Sequence, residues 1–513
     1  MKAFLFMCLL MLNFNEVFLK EKYNILLAVP VASKSLHHLF SSLGYSLAEA
    51  GHSVTLFTSF NQTKKHSNLI HFQPDDFSAS LQKHTPKNIF VQPSPLEYLR
   101  WGINSKIEIA NQMWTNDHIL KLFERRNEFD AILTPSYVNE HVFPLLQNFR
   151  GTYMMVSTPG IEYYTIARSG NWLPPSVVPG IILPYDEVMT FWERTSNLYN
   201  LLVIQYPLEM IQQYVVKKEL KKYHPEFEDV ESYYYKSSLT LINGNFALDS
   251  PVPLLPNQVE IGCINAEKPK PLPKDLEEFI KGSGDAGVIY FSLGSFIPGS
   301  EIPISAKKIL LETFRQIPQR VIWKYEDDDL ELPPNVITRK WLPQQDILGH
   351  PKTKIFMSHC GNLGTQEARF HGVPVLAVPI AFDQPRNAAR LERKHLSVTV
   401  NWSEMTVDKL LEAINTLTKD SSYYDRMKKL SNIVQDQKDS PAETAVWWVE
   451  YVIRHKGAPH LQYAGKRLHL FSYIMLDVIA FWSAVLLILS FTLVYTCKAM
   501  YKKCCGSQKV KKA

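Results

Sequence analysis

The sequence predicts an α/β protein of two doubly wound, parallel-sheet domains that face each other, followed by one membrane-spanning helix. Three observations support this prediction. Short apolar segments alternate with helical patterns in both halves of the 513-residue chain, a proline-rich stretch separates the halves, and a long uncharged segment precedes a basic C-terminus. Alternating strands and helices form parallel sheets covered on both faces, and a chain of this length exceeds one ordinary hydrophobic core.

The first half begins with an apolar run, "YNILLAVP" at 23–30, which is typical of a buried parallel strand. A helical pattern follows it to Ala50, Gly51 ends the helix, and "SVTLFTS" again indicates a strand. Later strands are predicted at "FDAILT" and "TYMMVS". The first domain is therefore assigned to 21–250.

The proline-rich stretch at 251–286 is predicted to be an extended linker. A second strand and helix series begins at "GVIYFSLGS" and continues with "RVIWKY", "KIFMSH" and "PVLAVP". The second domain is therefore assigned to 287–470.

Both ends of the chain carry targeting features. Lys2 and the apolar run after it predict a signal peptide at 1–20. Residues 478–497 contain no charge and are long enough to cross a bilayer, so a transmembrane helix is predicted at 475–497. The basic tail at 498–513 should be cytosolic and the body lumenal. The terminal "KVKKA" is similar to dilysine retrieval signals, which favours a single-pass type I protein of the endoplasmic reticulum membrane.

Several classes of function are disfavoured. The net charge of +5 comes mainly from the lysines of the tail, so no nucleic-acid partner is predicted. The chain has neither G-x-G-x-x-G after the first strand nor a Walker A loop. The acidic run "EDDDLE" at 326–331 favours a solvated loop over a metal site, and we expect no metal and no cofactor. Only Cys263 and Cys360 remain in the predicted lumenal body, so no disulfide framework is expected.

The densest motif is "WLPQQDILGHPKTKIFMSHCGNLGTQEARFHGVPVLAVPIAFDQPRNAAR" at 341–390. Within it, "SHCGNLG" predicts a strand end, a turn and a helix start, where backbone N–H groups can bind a diphosphate. The motif resembles the signature of UDP-glycosyltransferases and UDP-glucuronosyltransferases, and the resemblance, to animal, insect-like and membrane-anchored members, covers nearly the whole chain. It implies the GT-B fold, with two facing Rossmann-like domains, the first for the acceptor and the second for a UDP-sugar.

The resemblance also implies roles for matching residues in this half. We expect a loop without lysine to bind the diphosphate and a tryptophan ring to stack on uracil. A carboxylate should bind the ribose, and an acid–amide pair should bind the hexose. The matching residues are Ser295, His359, Gly361 and Gly364 for the diphosphate, Trp341 and Gln344 for uracil, Glu367 for ribose, and Asp383 and Gln384 for the hexose. Each residue alone also fits a purely structural role, as a strand-end histidine or a helix-start carboxylate often has.

The first domain departs from the family pattern. Family members are expected to deprotonate the acceptor with a histidine at the start of the first helix, oriented by an acid after a later strand. An ungapped count places Leu36 and Pro135 at these two positions. His37 or His38 could replace the base if a one-residue bulge precedes the helix. Otherwise an amine acceptor could attack through its own lone pair, with less need of a base.

The leading prediction is a membrane-anchored enzyme that transfers glucose or glucuronate from a UDP-sugar to a small lipophilic acceptor, by inverting displacement without a metal. The aromatic-rich stretch at 153–199 is expected to contribute to the acceptor site. Arg386 is a positional candidate for a glucuronate carboxylate. The alternative is a catalytically silent homologue that binds UDP-sugar or regulates a partner. Homo- and hetero-oligomers are both compatible with the sequence.

Overall fold

The computed structural model describes residues 22–62, 64–86, 89–91, 93–327 and 330–505. The predicted signal peptide and the second half of the basic tail, 506–513, lie outside these residues. The described chain forms two α/β domains and one long C-terminal helix.

The first domain is built on a seven-stranded parallel sheet in the order β3-β2-β1-β4-β5-β6-β7. Its central strands are buried on both faces because helices cover both sides of the sheet. The strands are β1 (Asn24–Val29), β2 (Ser53–Thr58), β3 (Leu69–Phe72), β4 (Ala131–Pro135), β5 (Thr152–Ser157), β6 (Leu239–Ile242) and β7 (Gln258–Glu260).

Helix α1 follows β1 directly and begins at the edge of the sheet where the site lies. Its N-cap is Ser33, whose side chain accepts a hydrogen bond from Leu36 N. The chain leaves the helix through Gly51 at φ +100°, as the sequence predicted. The helices of this domain are α1 (Lys34–Glu49), α2 (Ser78–Lys83), α3 (Pro95–Trp114), α4 (Asp117–Glu124), α5 (Tyr163–Arg168), α6 (Phe191–Tyr199), α7 (Tyr206–Leu220) and α8 (Val230–Tyr235), with a π-helical stretch at Asn200–Gln205.

The second domain is built on a six-stranded parallel sheet in the order β10-β9-β8-β11-β12-β13. The strands are β8 (Val288–Ser292), β9 (Arg320–Lys324), β10 (Val336–Arg339), β11 (Thr353–Ser358), β12 (Val375–Ala377) and β13 (Ser397–Thr399). The helices are α9 (Lys274–Lys281), α10 (Ile304–Arg315), α11 (Gln344–Leu348), α12 (Asn362–His371), α13 (Gln384–Arg393), α14 (Val407–Lys419) and α15 (Ser421–Gln435).

The chain returns to the first domain before it reaches the membrane segment. Helix α16 (Pro441–Arg454) buries Ala445, Val449 and Val452 in the core formed by α1 and the first sheet. Glu450 on α16 lies 3.0 Å from His52 Nε2. The predicted limit of 287–470 for the second domain therefore differs from the structure at its end, because the apolar face of α16 is buried against α1.

The prediction of an extended linker at 251–286 is wrong in part. Within this range, β7 pairs with β6 in the first sheet, and α9 buries Leu276 and Ile280 in the core of the second domain.

A helix long and apolar enough to cross a membrane ends the described chain. After the short α17 (Leu470–Tyr473), α18 runs from Leu476 to Cys505, and none of its most apolar part is buried. Its bounds include the predicted segment 475–497 except the first residue.

A buried ion network joins the two domains. Asp249 Oδ1 of the first domain lies 3.5 Å from Arg390 Nη1 and 3.9 Å from Arg369 Nη1, and Arg390 Nη2 also contacts Glu187. Helices α12 and α13 carry the two arginines. The network therefore holds the last turns of both helices against the first domain.

We expect Asp249→Ala to lower the free energy of unfolding by about 3 kcal/mol, because it removes a buried charge partner of two arginines. The measurement is a denaturant titration of the purified protein in detergent. Lys409→Ala is the matched control, since its ion pair with Glu404 is exposed and should contribute nothing measurable. Equal midpoints for both variants would contradict the importance of the network.

Candidate functional site

A cavity of about 740 Å³ lies between the two domains, at the carboxyl ends of the central strands of both sheets. Ligands of doubly wound domains bind at this edge. The cavity is lined by every predicted site residue except His37. The lining ones are His38, Ser295, Trp341, Gln344, His359, Gly361, Gly364, Glu367, Asp383 and Gln384.

His359 follows β11, and two glycines leave room for its ring. A Cβ atom on Gly294 would lie 2.7 Å from His359 Cε1, and one on Gly361 would lie 2.6 Å from its Nε2. Gly294 also has φ +77°, which favours glycine. By contrast, a Cβ on Gly364 would meet only ordinary contacts. Burial lowers the pKa of His359 to about 4, so the ring is neutral and can donate one hydrogen bond.

The short loop between His359 and helix α12 contains a residue with a strained backbone. Cys360 has φ +65°, the left-handed region, and is completely buried. Asn387 Nδ2 on α13 donates a hydrogen bond of 3.0 Å to the Cys360 carbonyl and fixes the turn. The N-terminus of α12 with its free N–H groups consequently borders the cavity at Gly361, which suits an anion.

Lys324 is a cavity residue that the sequence analysis missed. It ends β9, lines the cavity and pairs with Glu326 Oε1 at 2.5 Å. The "SHCGNLG" loop itself contains no lysine, but β9 lies next to β8 and brings a lysine distant in sequence to the same edge. Glu326 also accepts a hydrogen bond from Gly299 N, so the start of the acidic run is not simply a solvated loop.

Trp341 offers an exposed face at one end of the cavity. Its side chain is 56% exposed. Two residues at the start of α1 contact its ring: Lys34 Nζ lies 5.2 Å from the ring centroid and the His38 ring 6.0 Å from it. These contacts cross between the domains.

Glu367 is a buried carboxylate that receives three side-chain hydrogen bonds. Asn265 Nδ2 and Gln345 Nε2 donate to Oε1 at 2.8 and 3.2 Å, and Gln344 Nε2 donates to Oε2 at 2.5 Å. Burial raises its pKa to about 7. Gln344 also accepts a hydrogen bond from Tyr290. The amide of Gln344 thus orients Glu367, and its second N–H and second lone pair leave the predicted role toward a base as a prediction.

Asp383 and Gln384 start α13. Asp383 accepts a hydrogen bond of 2.7 Å from Asn387, and burial raises its pKa. Gln384 Oε1 accepts bonds from Ile380 N and Ala381 N, which shape the loop before the helix.

Phe382 holds this loop against the first domain. It has φ +61°, and its ring lies 5.6 Å from Trp101 and 6.0 Å from Tyr98 on α3. Aromatic packing between domains thus maintains a strained backbone directly before Asp383. No sequence motif pointed to these three residues.

Arg386 is directed away from the cavity. Its guanidinium donates to the carbonyls of Ile161 and Pro159 at 3.2 and 3.0 Å, and burial lowers its pKa to about 10. The positional hypothesis that Arg386 binds a sugar carboxylate is therefore wrong, because its donors bridge the domains.

The side-chain directions in the first turn of α1 show whether a histidine takes the place of the expected base. Leu36 lines the cavity, whereas His37 is 2% exposed and turned into the core, where it bonds Thr58 Oγ1 at 3.1 Å and Ser41 Oγ at 3.2 Å. The β1–β2 register runs without a bulge to Val29. The assignment of His37 as a base is therefore wrong, because the helix begins without the extra residue that would turn it toward the cavity.

His38 lines the cavity, and its ring lies beside the ring of Trp341. Burial, with nearby Lys64 and Lys34, lowers its pKa. On the other side, Pro135 ends β4, and Asn139 bonds the backbone of Val31 through both amide atoms. Glu140 pairs with Lys106 at 3.2 Å: burial alone would raise its pKa, but Lys106 lowers it to about 2. Glu140, the one acid among these three residues, is paired with Lys106 and not with a histidine that lines the cavity.

The part of the cavity in the first domain is mainly aromatic and apolar. Helix α7 contributes Leu208 and Glu209. Glu209 pairs with Arg168 Nη2 at 2.9 Å, while Glu162 caps α5 through Tyr164 N and Thr165 N. Rings and apolar side chains of this part include those of Tyr98, Trp101, Tyr137, Tyr164, Ile181, Ile182 and Ile204.

Comparison with known proteins gives one consistent result. Residues 26–512 match the family model described as UDP-glucoronosyl and UDP-glucosyl transferase. UDP-glucosyltransferase 2 of Dactylopius coccus is 32% identical over 500 residues, covering 95% of this chain and 96% of that protein. UDP-glucuronosyltransferase 1A6 of Homo sapiens is 33% identical over 501 residues, covering 94% and 92%.

Solved structures share the fold. A UDP-glucosyltransferase from Polygonum tinctorium aligns with a TM-score of 0.57 at 14% identity and covers 85% of this chain and 99% of its own. The calicheamicin glycosyltransferase CalG4 aligns with a TM-score of 0.55 at 18% identity and covers 85% and 99%. The two facing parallel-sheet domains are those of GT-B glycosyltransferases.

Proposed function

Because the chain belongs to the family of UDP-glucuronosyl and UDP-glucosyl transferases, we propose that it transfers a hexose from a UDP-sugar to a small lipophilic acceptor. One observation carries the proposal. His359, Glu367, Asp383 and the face of Trp341 converge on one cavity, and that cavity extends into the aromatic part of the first domain. Donor and acceptor can thus meet between the domains.

The donor would bind along the second domain. Uracil would stack on Trp341, and Glu367 would accept hydrogen bonds from the ribose hydroxyls. The diphosphate would meet the N-terminus of α12, neutral His359 and Lys324, and Asp383 with Gln384 would bind the hexose hydroxyls. Charge leaving with UDP would be stabilised by the same helix terminus and by Lys324.

The acceptor is proposed to be an aromatic or aliphatic amine. A neutral amine attacks the anomeric carbon with its lone pair, the bond to UDP breaks, and the surplus proton leaves the nitrogen afterwards. An alcohol needs a base during attack, and Leu36 supplies none. The aromatic rings of the first-domain part of the cavity also suit an acceptor that carries an aromatic group.

Glucose is the proposed sugar in preference to glucuronate. A glucuronate carboxylate would be placed near Asp383 and would need a cation, but Arg386 is occupied by two backbone carbonyls. A neutral hexose needs only hydrogen bonds at this place.

The body is proposed to be lumenal in the endoplasmic reticulum and anchored by α18. The length and apolarity of α18 and the lysines after it support this topology.

Release of UDP from UDP-glucose or UDP-glucuronate, with matched panels of amines and phenols, tests the function. We expect turnover with UDP-glucose and amines. UDP-sugar binding without UDP release by any acceptor would instead favour the silent homologue. Faster turnover of phenols than of amines would reject the amine proposal while leaving the transferase intact.

The pKa of Glu367 predicts a pH-dependent donor affinity. Ribose hydroxyls bind its ionised form, so UDP-glucose affinity should rise about 10-fold from about pH 6 to about pH 8. In the folded protein the Glu367 carboxyl keeps its proton up to about pH 7, whereas its ordinary pKa is 4.5. This group should therefore lower the free energy of unfolding as the pH rises from about 4.5 to about 7.

Isothermal titration across this range provides the measurement. Glu367→Gln should bind more weakly and show no such rise, while Glu312→Gln, an exposed residue on α10, should behave as the unchanged protein. An identical pH profile in Glu367→Gln would show that another group is responsible.

A further inference from the structure

The helical segment 191–220 has an unusual exposed face. It comprises α6, the π-helical stretch and α7, and its solvent-facing residues recur every three or four positions. In a soluble protein these positions are usually polar. Here the exposed positions up to 214 are mostly apolar, with Trp192 76% and Tyr214 68% exposed. The exposed apolar residues are Phe191, Trp192, Leu198, Tyr199, Leu202, Val203, Tyr206, Met210, Ile211 and Tyr214.

We call these ten residues the apolar stripe. They extend over about 35 Å of helix at 1.5 Å per residue. Single exposed apolar residues are normal, but a continuous stripe of this length marks an interaction surface. No described residue of the chain covers it, and the ten side chains are between 43% and 76% exposed.

The opposite face of the same segment belongs to the cavity. Gln205, Leu208 and Gln212 line it, and Glu209 joins α7 to Arg168 on α5. A single layer of helix therefore separates the cavity from the apolar stripe.

Contacts of the chain before α18 place the stripe on the side of the membrane anchor. Lys466 packs on Gly170 at the end of α5 and donates to the Ser237 carbonyl. Helix α5 in turn stacks Tyr164 on Tyr206 of the stripe. The chain then continues to α18 through further exposed apolar residues, Leu468, Leu470, Phe471, Ile474 and Met475.

The composition of the stripe fits a lipid interface. Four of its members are Trp192, Tyr199, Tyr206 and Tyr214, and such amphipathic rings favour the headgroup level of bilayers. Lys218 on α7 and Lys221 directly after the helix are exposed, and they can approach anionic headgroups.

We propose that the apolar stripe lies in the interfacial layer of the bilayer that α18 crosses, with phospholipid as its partner. The anchor and the stripe then fix the body on the membrane by two separate attachments. A consequence for acceptor entry rests on the proposed function. Lipophilic acceptors would leave the bilayer, pass Ile182 and Ile204, and enter the cavity. The binding to lipid itself needs no transferase activity.

The test uses the full chain in vesicles of phosphatidylcholine and phosphatidylserine. A fluorophore is attached at Leu202→Cys in a background where Cys497, Cys504 and Cys505 are serine. The control probe is Tyr424→Cys, an exposed position on α15 of the second domain. We expect nitroxide-labelled lipids to quench the probe at 202 several-fold more than the probe at 424, and aqueous iodide to show the reverse order.

Two results would overturn the proposal. Equal quenching of both probes would show that the stripe faces water. Protection from iodide without quenching by lipid would show that a second copy of the chain covers the stripe. As a second variant, Val203→Asp should reduce lipid quenching at 202 without changing the thermal unfolding in detergent, because position 203 is exposed.

Kinetics separate the two parts of the inference. In vesicles, Val203→Asp should raise KM for a lipophilic amine and leave KM for a water-soluble amine unchanged. A protein that transfers no sugar but shows the expected quenching would reject the proposed function and keep the membrane contact.

Discussion

Replacing Leu36 by histidine is expected to raise turnover of phenols and alcohols by about 10²-fold, while turnover of amines changes little. Leu36 lies in the first turn of α1 and lines the cavity, so an imidazole there would face the acceptor. The positive end of the helix would keep it neutral and ready to accept a proton. Initial rates of UDP release with matched phenol and amine acceptors give the measurement.

The control for this prediction is Leu36→Asn, which is polar but cannot act as a base and should not increase phenol turnover. Adding Pro135→Asp should increase the effect of histidine, because β4 lies beside β1 and its end approaches the start of α1. An equal gain for Leu36→Asn and Leu36→His would mean that cavity polarity, not proton removal, limits transfer.

Replacing Asp383 by alanine is expected to lower kcat/KM for UDP-glucose by about 10²-fold or more, since hydrogen bonds to a charged group contribute about 1.5–3 kcal/mol each. Affinity for UDP, which has no hexose, should not change. The fold should tolerate the change, because burial raises the pKa of Asp383 and makes its charge unfavourable in the free protein.

Asp383→Asn is the conservative comparison and should lose less activity, since an amide still bonds to hydroxyls. Titrations with UDP and UDP-glucose separate the sugar contribution from the nucleotide contribution. If Asp383→Ala weakened UDP as much as UDP-glucose, its role would be to shape the Phe382 loop and not to bind the sugar.

The ordered motif of 341–390 made most of the donor side predictable. A strand end, a turn and a helix start occur in sequence there, so His359, Gly361 and Asp383 could be assigned from local pattern. The hydrogen-bond partners of Gln344 could not be predicted in this way, because β8 and α12 bring Tyr290 and Glu367 to it. Lys324 was missed for the same reason, as it reaches the cavity through its neighbour in the sheet.

The sequence by itself determined the alternation of strands and helices and the membrane-length helix. These follow from local periodicity and residue type, which need no distant contact. Only the tertiary structure decided that His37 faces Thr58, that Arg386 bridges the domains, that α16 returns to the first sheet and that the apolar stripe remains uncovered. Each of these depends on which distant surfaces meet, and a one-dimensional pattern does not contain that information.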